Sequence, residues 1–163
     1  MPFRFGRGIC CVEESAETLE WLVTNGRGSY ASGTVAGMLT RRYHGLLVAA
    51  INPPVGRYLL VAKFDETAKY GDESVALSSN RWADGTVDPK GYVNIESFYL
   101  DGGIPVWNYA AADAILEKRV WMEQGADTTF IRYKLLRASG PLDLNLKIFV
   151  NYRDYHGSTS AGG

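Results

Sequence analysis

The fold of this chain is decided by residues 20–50, EWLVTNGRGSYASGTVAGMLTRRYHGLLVAA. At the first end, Leu19, Trp21 and Val23 alternate with polar residues, and at the second end residues 46–51 form an unbroken apolar run. Both patterns are typical of strands, and the unbroken run predicts a strand buried on both faces. The middle is rich in glycine, arginine and tyrosine, which suits an exposed polar segment held between two strands.

Short apolar or alternating runs continue through the rest of the chain, and turn-forming residues separate them. They predict strands over residues 8–12, 58–64, 65–69, 74–77, 92–100, 106–111, 115–123, 129–136 and 142–150. The last run alternates strictly. Its leucine, isoleucine and valine side chains share one face, which is typical of an antiparallel sheet covered on one side.

Two segments depart from this pattern. Residues 13–17 are the one helix-like opening, and residues 78–91 carry proline and glycine without an apolar period, which predicts a long loop. Trp82 in that segment has two interpretations, a platform for a sugar ring or an anchor that pins the loop to the core. Repeated short strands with little helix predict an all-β fold, a large antiparallel two-sheet β-sandwich.

Composition limits the kinds of partner. The 163 residues carry a formal net charge of −1, and the basic residues are interspersed with acidic ones. No basic stripe or charged amphipathic helix is present, so we expect neither nucleic acid nor a membrane as a partner. Ten tyrosines and four tryptophans suit both a sheet-rich core and contact with uncharged, sugar-like ligands.

Cysteine content and the N-terminus bear on location. Cys10 and Cys11 are the only cysteines and are adjacent, which is poor geometry for a disulfide and provides no disulfide framework. The N-terminus lacks a long apolar segment, and no run is long enough to span a membrane. We therefore expect a cytoplasmic protein.

Known chemical motifs account for little of the polar sequence. The two histidines are more than about a hundred residues apart and no Cys-x-x-Cys is present, so no metal site is predicted. The glycines of residues 26–33 lack the Lys-Ser/Thr of a phosphate loop. Asp65 and Glu66 are adjacent and would point to opposite faces of a strand, so we interpret both as structural.

Several segments together resemble one known family. TNGRGSYASGT at residues 24–34, followed by TRRYHGLLVAA at residues 40–50, resembles the N-terminal domain of bacterial and archaeal glycogen debranching enzymes of the amylo-α-1,6-glucosidase type. Later segments agree: PPVGRYLLVAKFDE, Gly91-Tyr92 with Glu96-Ser97-Phe98, Pro105-Val106-Trp107, LEKRVWM and NYRDYH. Asp127 is a departure, since the resemblance leads us to expect asparagine there.

The resemblance implies an architecture and a role. Residues 1–157 would form a sandwich similar to galactose mutarotase, and residues 158–163 a flexible tail truncated before an (α/α)6-type barrel. The catalytic acids of the family belong to that barrel, so no catalytic residue, cofactor or metal is implied here. The implied role is to help shape the cleft that binds a glycogen-like α-glucan, beside the C-terminal catalytic domain of the same chain. An autonomous carbohydrate-binding module and a purely structural or dimerisation domain remain the alternatives, and a homodimer is left open.

The polar middle of the decisive stretch supplies the candidate binding residues. Guanidinium donors, an imidazole and a phenol are the groups that bind a polyol. We predict substrate contact by Asn25, Arg41, Arg42, Tyr43 and His44. In the alternative, an arginine of this cluster pairs internally with Asp65, Glu66 or Asp154 and His44 is a satisfied core residue.

Overall fold

The computed structural model describes residues 3–53 and 55–158. Strands make up most of this part of the chain. They are β1 Arg4–Gly6, β2 Glu20–Thr24, β3 Tyr30–Thr34, β4 Gly45–Asn52, β5 Gly56–Tyr70, β6 Glu73–Ala76, β7 Ser79–Arg81, β8 Val87–Lys90, β9 Ile95–Asp101, β10 Ile104–Ala111, β11 Ala114–Met122, β12 Thr129–Arg137 and β13 Leu142–Asp154. The helical elements are short: α1 Arg7–Cys10, α2 Glu13–Thr18 and a 3₁₀ turn at Gly91–Asn94.

The strands form two main antiparallel sheets. One has the order β1-β9-β10-β11-β12, and the other has the order β13-β5-β4-β3-β2 with β6 also paired to β5. The strands β7 and β8 form a separate hairpin. This arrangement confirms the predicted all-β, two-sheet antiparallel sandwich with little helix. None of the helices in the described ranges is long and apolar enough to cross a membrane.

Aromatic side chains from both sheets meet in the core. Trp21 of β2 lies edge-on to Trp107 of β10, with ring centroids 5.5 Å apart. Their indole N–H groups donate to carbonyls at the end of β3, Trp21 to Thr34 at 3.2 Å and Trp107 to the following residue, Val35, at 2.9 Å. Each buried ring therefore keeps its polar atom satisfied, as packing of tryptophan in a core requires.

An ion pair also crosses between the sheets. Glu66 of β5 is buried, and its Oε1 is bonded by Lys118 of β11 and, at 2.7 Å, by the hydroxyl of Tyr133. Lys118 also lies over the ring of Trp107, 5.6 Å from its centroid. A buried carboxylate held in this way is structural, because its charge is neutralised and hydrogen-bonded inside the sandwich.

The prediction of a strand over residues 8–12 is wrong. Residues 7–10 form α1, and the amide of Cys11 donates to the carbonyl of Arg7 at 2.9 Å. Only Cys10 of this helix is buried. One buried side chain in a turn of helix leaves little periodicity, and a short apolar run does not distinguish helix from strand.

The predicted long loop over residues 78–91 is wrong as well. Its ends pair as β7 and β8, and Asp84-Gly85 makes the turn, with Gly85 at a φ of 88°. Asp-Gly is a common sequence in hairpin turns, whereas a proline such as Pro89 is uncommon within a strand and favours the prediction of a loop. β8 tolerates the proline because it belongs to a two-stranded hairpin and not to the centre of a sheet.

The remaining boundaries differ in smaller ways. The runs at 58–64 and 65–69 form one strand, β5, and the run at 92–100 begins with the 3₁₀ turn before β9. The helix-like opening at 13–17 is α2. The predicted tail 158–163 lies outside the described residues except for its first position.

Candidate functional site

Asn25 organises the turn between β2 and β3. The side chain is 1% exposed, and its Oδ1 accepts from the amides of Arg27 at 2.8 Å and Ser29 at 3.1 Å. Its Nδ2 donates to the carbonyl of Ala126 at 3.0 Å and to Oδ1 of Asp127 at 3.1 Å. Both ends of the amide are committed, so Asn25 ties this turn to the one between β11 and β12.

Asp127 and Ser29 complete this connection. The hydroxyl of Ser29 bonds Oδ1 of Asp127, and its oxygen accepts from the amide of Ala50 in β4 at 2.8 Å. Gly26 and Gly28 have φ values of 75° and 103°, which other residues adopt only with strain. The carboxylate of Asp127 thus supplies the acceptor that an asparagine oxygen would also supply.

His44 lies beneath the surface at the end of the segment between β3 and β4. The side chain is 3% exposed, and Nδ1 accepts from the amides of Thr40 at 3.2 Å and Arg41 at 3.3 Å. The ring hydrogen must then be on Nε2, which lies 3.2 Å from Oε1 of Glu20. Burial lowers the pKa of His44, although the nearby Glu20 carboxylate opposes this effect. His44 is therefore a neutral donor that shapes the 40–44 turn.

The three residues before His44 face solvent. Arg41 pairs through Nε with Oε1 of Glu20 at 2.8 Å while 64% of its side chain remains exposed. Arg42 donates to the carbonyl of His156 at 2.9 Å. The exposed ring of Tyr43 lies 5.6 Å from that of Tyr155. These contacts hold two guanidinium groups and a phenol where β3 ends and β4 begins, at one end of the strands of the six-stranded sheet.

The predicted site residues therefore separate into two groups. Arg41, Arg42 and Tyr43 present polar atoms at the surface, whereas Asn25 and His44 are buried and support the turns. The acid that pairs with Arg41 is Glu20, which the sequence analysis did not single out. Its position between apolar residues of β2 had indicated only a solvent-facing side chain.

Two open grooves meet at Arg41. One has a volume of about 350 Å³ and is lined by Arg41, Arg42, His44 and Arg153, among others. The second has a volume of about 580 Å³ and extends past Glu20 to Trp82. Arg41 lines both grooves, so guanidinium nitrogens other than Nε can donate into either groove.

The carboxylates of Asp65 and Glu66 already have ion-pair or hydrogen-bond partners. Asp65 pairs with Lys63 at 2.9 Å and accepts from the amide nitrogen of Asn80 at 2.9 Å. Burial alone would raise the pKa of Asp65, but these bonds outweigh it and lower the pKa. Glu66 is held by Lys118. Over the described ranges, histidine, cysteine and acidic side chains nowhere gather in threes that could hold a metal ion.

Comparison with protein families identifies a match to this chain. The family model described as glycogen debranching enzyme N terminal matches residues 19–163, which include the Asn25 turn, the Arg41–His44 segment and every strand of the two main sheets except β1. No curated protein and no solved structure matches the chain significantly.

Proposed function

We propose that this chain, which belongs to the family of glycogen debranching enzyme N-terminal domains, is a non-catalytic β-sandwich domain that helps to shape a glucan-binding cleft. The enzyme would hydrolyse the α-1,6-glucosidic branch linkages of a glycogen-like α-glucan. The observation that carries this proposal is the exposed Arg41–Tyr43 segment, which the buried and hydrogen-bonded His44 holds at the end of β3 and β4.

The chemistry of that segment suits a neutral polyol. Guanidinium groups donate several hydrogen bonds in fixed directions, and a phenol both donates and accepts. Sugar hydroxyls are complementary to such groups. Arg41 and Arg42 already use one nitrogen each for an internal contact, so their planes are oriented before a ligand arrives. Ordering in advance reduces the entropic cost of binding.

The five predicted residues then take two roles. Arg41, Arg42 and Tyr43 are the proposed contacts to the glucan. His44 and Asn25 are positioning residues, because His44 fixes the turn that carries the arginines and Asn25 fixes the glycine-rich turn at the start of β3. Rigid strands that hold a polar segment are a common way to build a binding surface.

The remaining parts of the proposal follow the family. Bond cleavage would take place in a C-terminal (α/α)6-type domain of the same chain, with residues 1–157 acting as the sandwich. A cytoplasmic location agrees with the free thiols of Cys10 and Cys11.

A second candidate, a structural or dimerising domain, is favoured by one observation. Leu146, Ile148 and Val150 of β13 are 43%, 55% and 74% exposed, although they continue the apolar face that Leu142 and Leu144 bury. In the described part of the chain, β13 is an edge strand of its sheet. An exposed apolar edge strand favours association with another surface, either a second copy or a further domain.

Affinity electrophoresis in gels containing glycogen separates these candidates. A cleft domain predicts that the full-length protein is retarded and that Arg42→Ala reduces the retardation. An autonomous carbohydrate-binding module predicts that the 163-residue chain alone is retarded as strongly as the full-length protein. Unchanged retardation in Arg42→Ala and in Tyr43→Ala would contradict the cleft proposal and favour the structural role.

A further inference from the structure

The second groove at Arg41 lies between α2 and the β7–β8 hairpin, away from Arg42 and Tyr43. It has a volume of about 580 Å³, and its walls include Glu17, Glu20, Arg41, Arg81 and Trp82. This volume is within the usual range for small-molecule sites. Its chemistry is mixed, because one aromatic ring lies among four charged groups.

Trp82 is held in place without being buried. The side chain is 59% exposed, yet its Nε1 donates to the carbonyl of Asp88 at 2.8 Å. Its backbone amide donates to the carbonyl of Thr86, and the amide of Gly85 donates to the carbonyl of Trp82. The ring is therefore fixed by its own hairpin turn, and it does not anchor that hairpin to the core. A fixed, exposed indole face is available to a ligand.

The charged walls of the groove are balanced. Arg81 bonds Glu17 and also Glu13, the latter at 3.0 Å, which clamps the hairpin to α2. Arg41 pairs directly with Glu20, and both residues line the groove. Two acidic and two basic side chains line the groove, so an ion of either sign meets a like charge there. Uncharged ligands with many hydroxyl groups avoid that cost and use the same groups as hydrogen-bond partners.

We infer that this groove is a second α-glucan subsite, in which the C–H face of a glucose ring stacks on Trp82. Its hydroxyl groups would accept from Arg41 and donate to the carboxylates of Glu17 and Glu20. Arg41 also lines the groove that contains Arg42, so neighbouring parts of one glucan chain can occupy both grooves. That the ligand is an α-glucan rests on the proposed function, whereas the presence of a binding site is inferred from the exposed ring of Trp82 and the equal numbers of acidic and basic side chains around it.

The test is titration of the 163-residue chain with maltohexaose, followed by calorimetry and by the NMR signals of the indole N–H groups. The indole signal that is missing in Trp82→Phe identifies Trp82, and we expect it to shift as maltohexaose binds. Trp82→Ala should raise the Kd by about tenfold, whereas Trp82→Phe keeps a stacking ring and should stay within about threefold of the wild type.

Trp121 provides the matched control. It is a half-buried tryptophan stacked on Phe130 in the five-stranded sheet, with ring centroids 5.4 Å apart, and Trp121→Ala should leave the Kd unchanged. Equal loss of affinity in Trp121→Ala and Trp82→Ala would overturn the proposal, as would a Trp82 signal that does not shift at saturation.

The result also distinguishes this subsite from the proposed function. If maltohexaose shifts Trp82 while Arg42→Ala has no effect on the debranching reaction, the subsite stands and the cleft proposal fails. If Trp82 is instead shielded from acrylamide quenching in the full-length protein without glucan, another part of the polypeptide covers the groove and the subsite is overturned.

Discussion

Nε2 of His44 lies 3.2 Å from Oε1 of Glu20, and this contact joins the turn before β4 to the start of β2. The same oxygen of Glu20 accepts from Arg41. A buried imidazole and an exposed guanidinium are thus oriented by one carboxylate oxygen. The geometry of the exposed segment therefore depends on the carboxylate of Glu20.

The first prediction concerns the pKa of His44. Its pKa should lie below 6.5, because burial disfavours the imidazolium more than Glu20 favours it. Glu20→Gln removes the opposing carboxylate and should lower the pKa further, whereas Arg41→Ala removes a repelling charge and should raise it. NMR titration of the imidazole carbons measures all three proteins. A rise in pKa in Glu20→Gln would contradict this account.

The second prediction is the pH dependence of stability that this pKa implies. Between the folded pKa and 6.5 the unfolded chain binds more protons at this site than the folded one, so the free energy of unfolding rises with pH. The contribution of His44 is present above about pH 7 and is lost as the pH falls through 6.5 toward the folded pKa. The free energy of unfolding, measured in urea at several pH values, should change less steeply with pH in His44→Gln than in the wild type. Identical slopes would mean that His44 does not titrate in this range.

The third prediction concerns Asp127. Asp127→Ala removes the acceptor for Asn25 and Ser29 and should lower the free energy of unfolding by about 1–3 kcal/mol. Asp127→Asn keeps the Oδ1 acceptor and should cost less than about 0.5 kcal/mol. Urea unfolding of both variants measures the difference. Equal losses would show that the charge of Asp127 matters rather than its acceptor.

The fourth prediction concerns close packing at Gly91. A Cβ there would lie 2.3 Å from the carbonyl oxygen of Ser78 and 2.4 Å from the carbonyl carbon of Leu77. Backbone atoms cannot move aside as a side-chain tip can, so Gly91→Ala should cost about 1–3 kcal/mol. Gly140 has open space at the same position and serves as the control. Thermal unfolding of Gly91→Ala and Gly140→Ala should differ clearly, and similar Tm values would contradict the close approach.

The sandwich could be predicted because strand periodicity is a local signal. Alternation in residues 142–150 marks β13 regardless of its neighbours, and the apolar run before Asn52 marks β4. Alternation does not show how far a sheet extends. Leu146, Ile148 and Val150 carry the core pattern, yet the opposite sheet does not cover them. Whether a strand face is buried depends on the extent of the facing sheet, and the alternation of residues within one strand carries no information about that extent.

The sequence predicts that the polar residues of the candidate site belong together, but it does not predict which of them are buried and which are exposed. The polar segment that ends at His44 stands out from the strands around it, whereas burial within it depends on contacts from distant parts of the chain. The buried His44 contacts Glu20 of β2, and the buried Asn25 donates to Asp127, which is 102 residues away in the sequence. Neither pairing leaves a periodic signal in the sequence.

The central claim is that Arg42 contacts the glucan, and the rate of glucose release from a branched limit dextrin by the full-length protein tests it most directly. Arg137 provides a matched control, since both exposed arginines donate to one backbone carbonyl at 2.9 Å. Arg42→Ala should lower kcat/KM by about tenfold or more, as loss of a charged hydrogen bond to substrate does, while its Tm changes by less than about 2 °C. Arg137→Ala should leave kcat/KM unchanged. Equal kcat/KM values in the folded Arg42→Ala, Arg137→Ala and wild-type proteins would contradict the account.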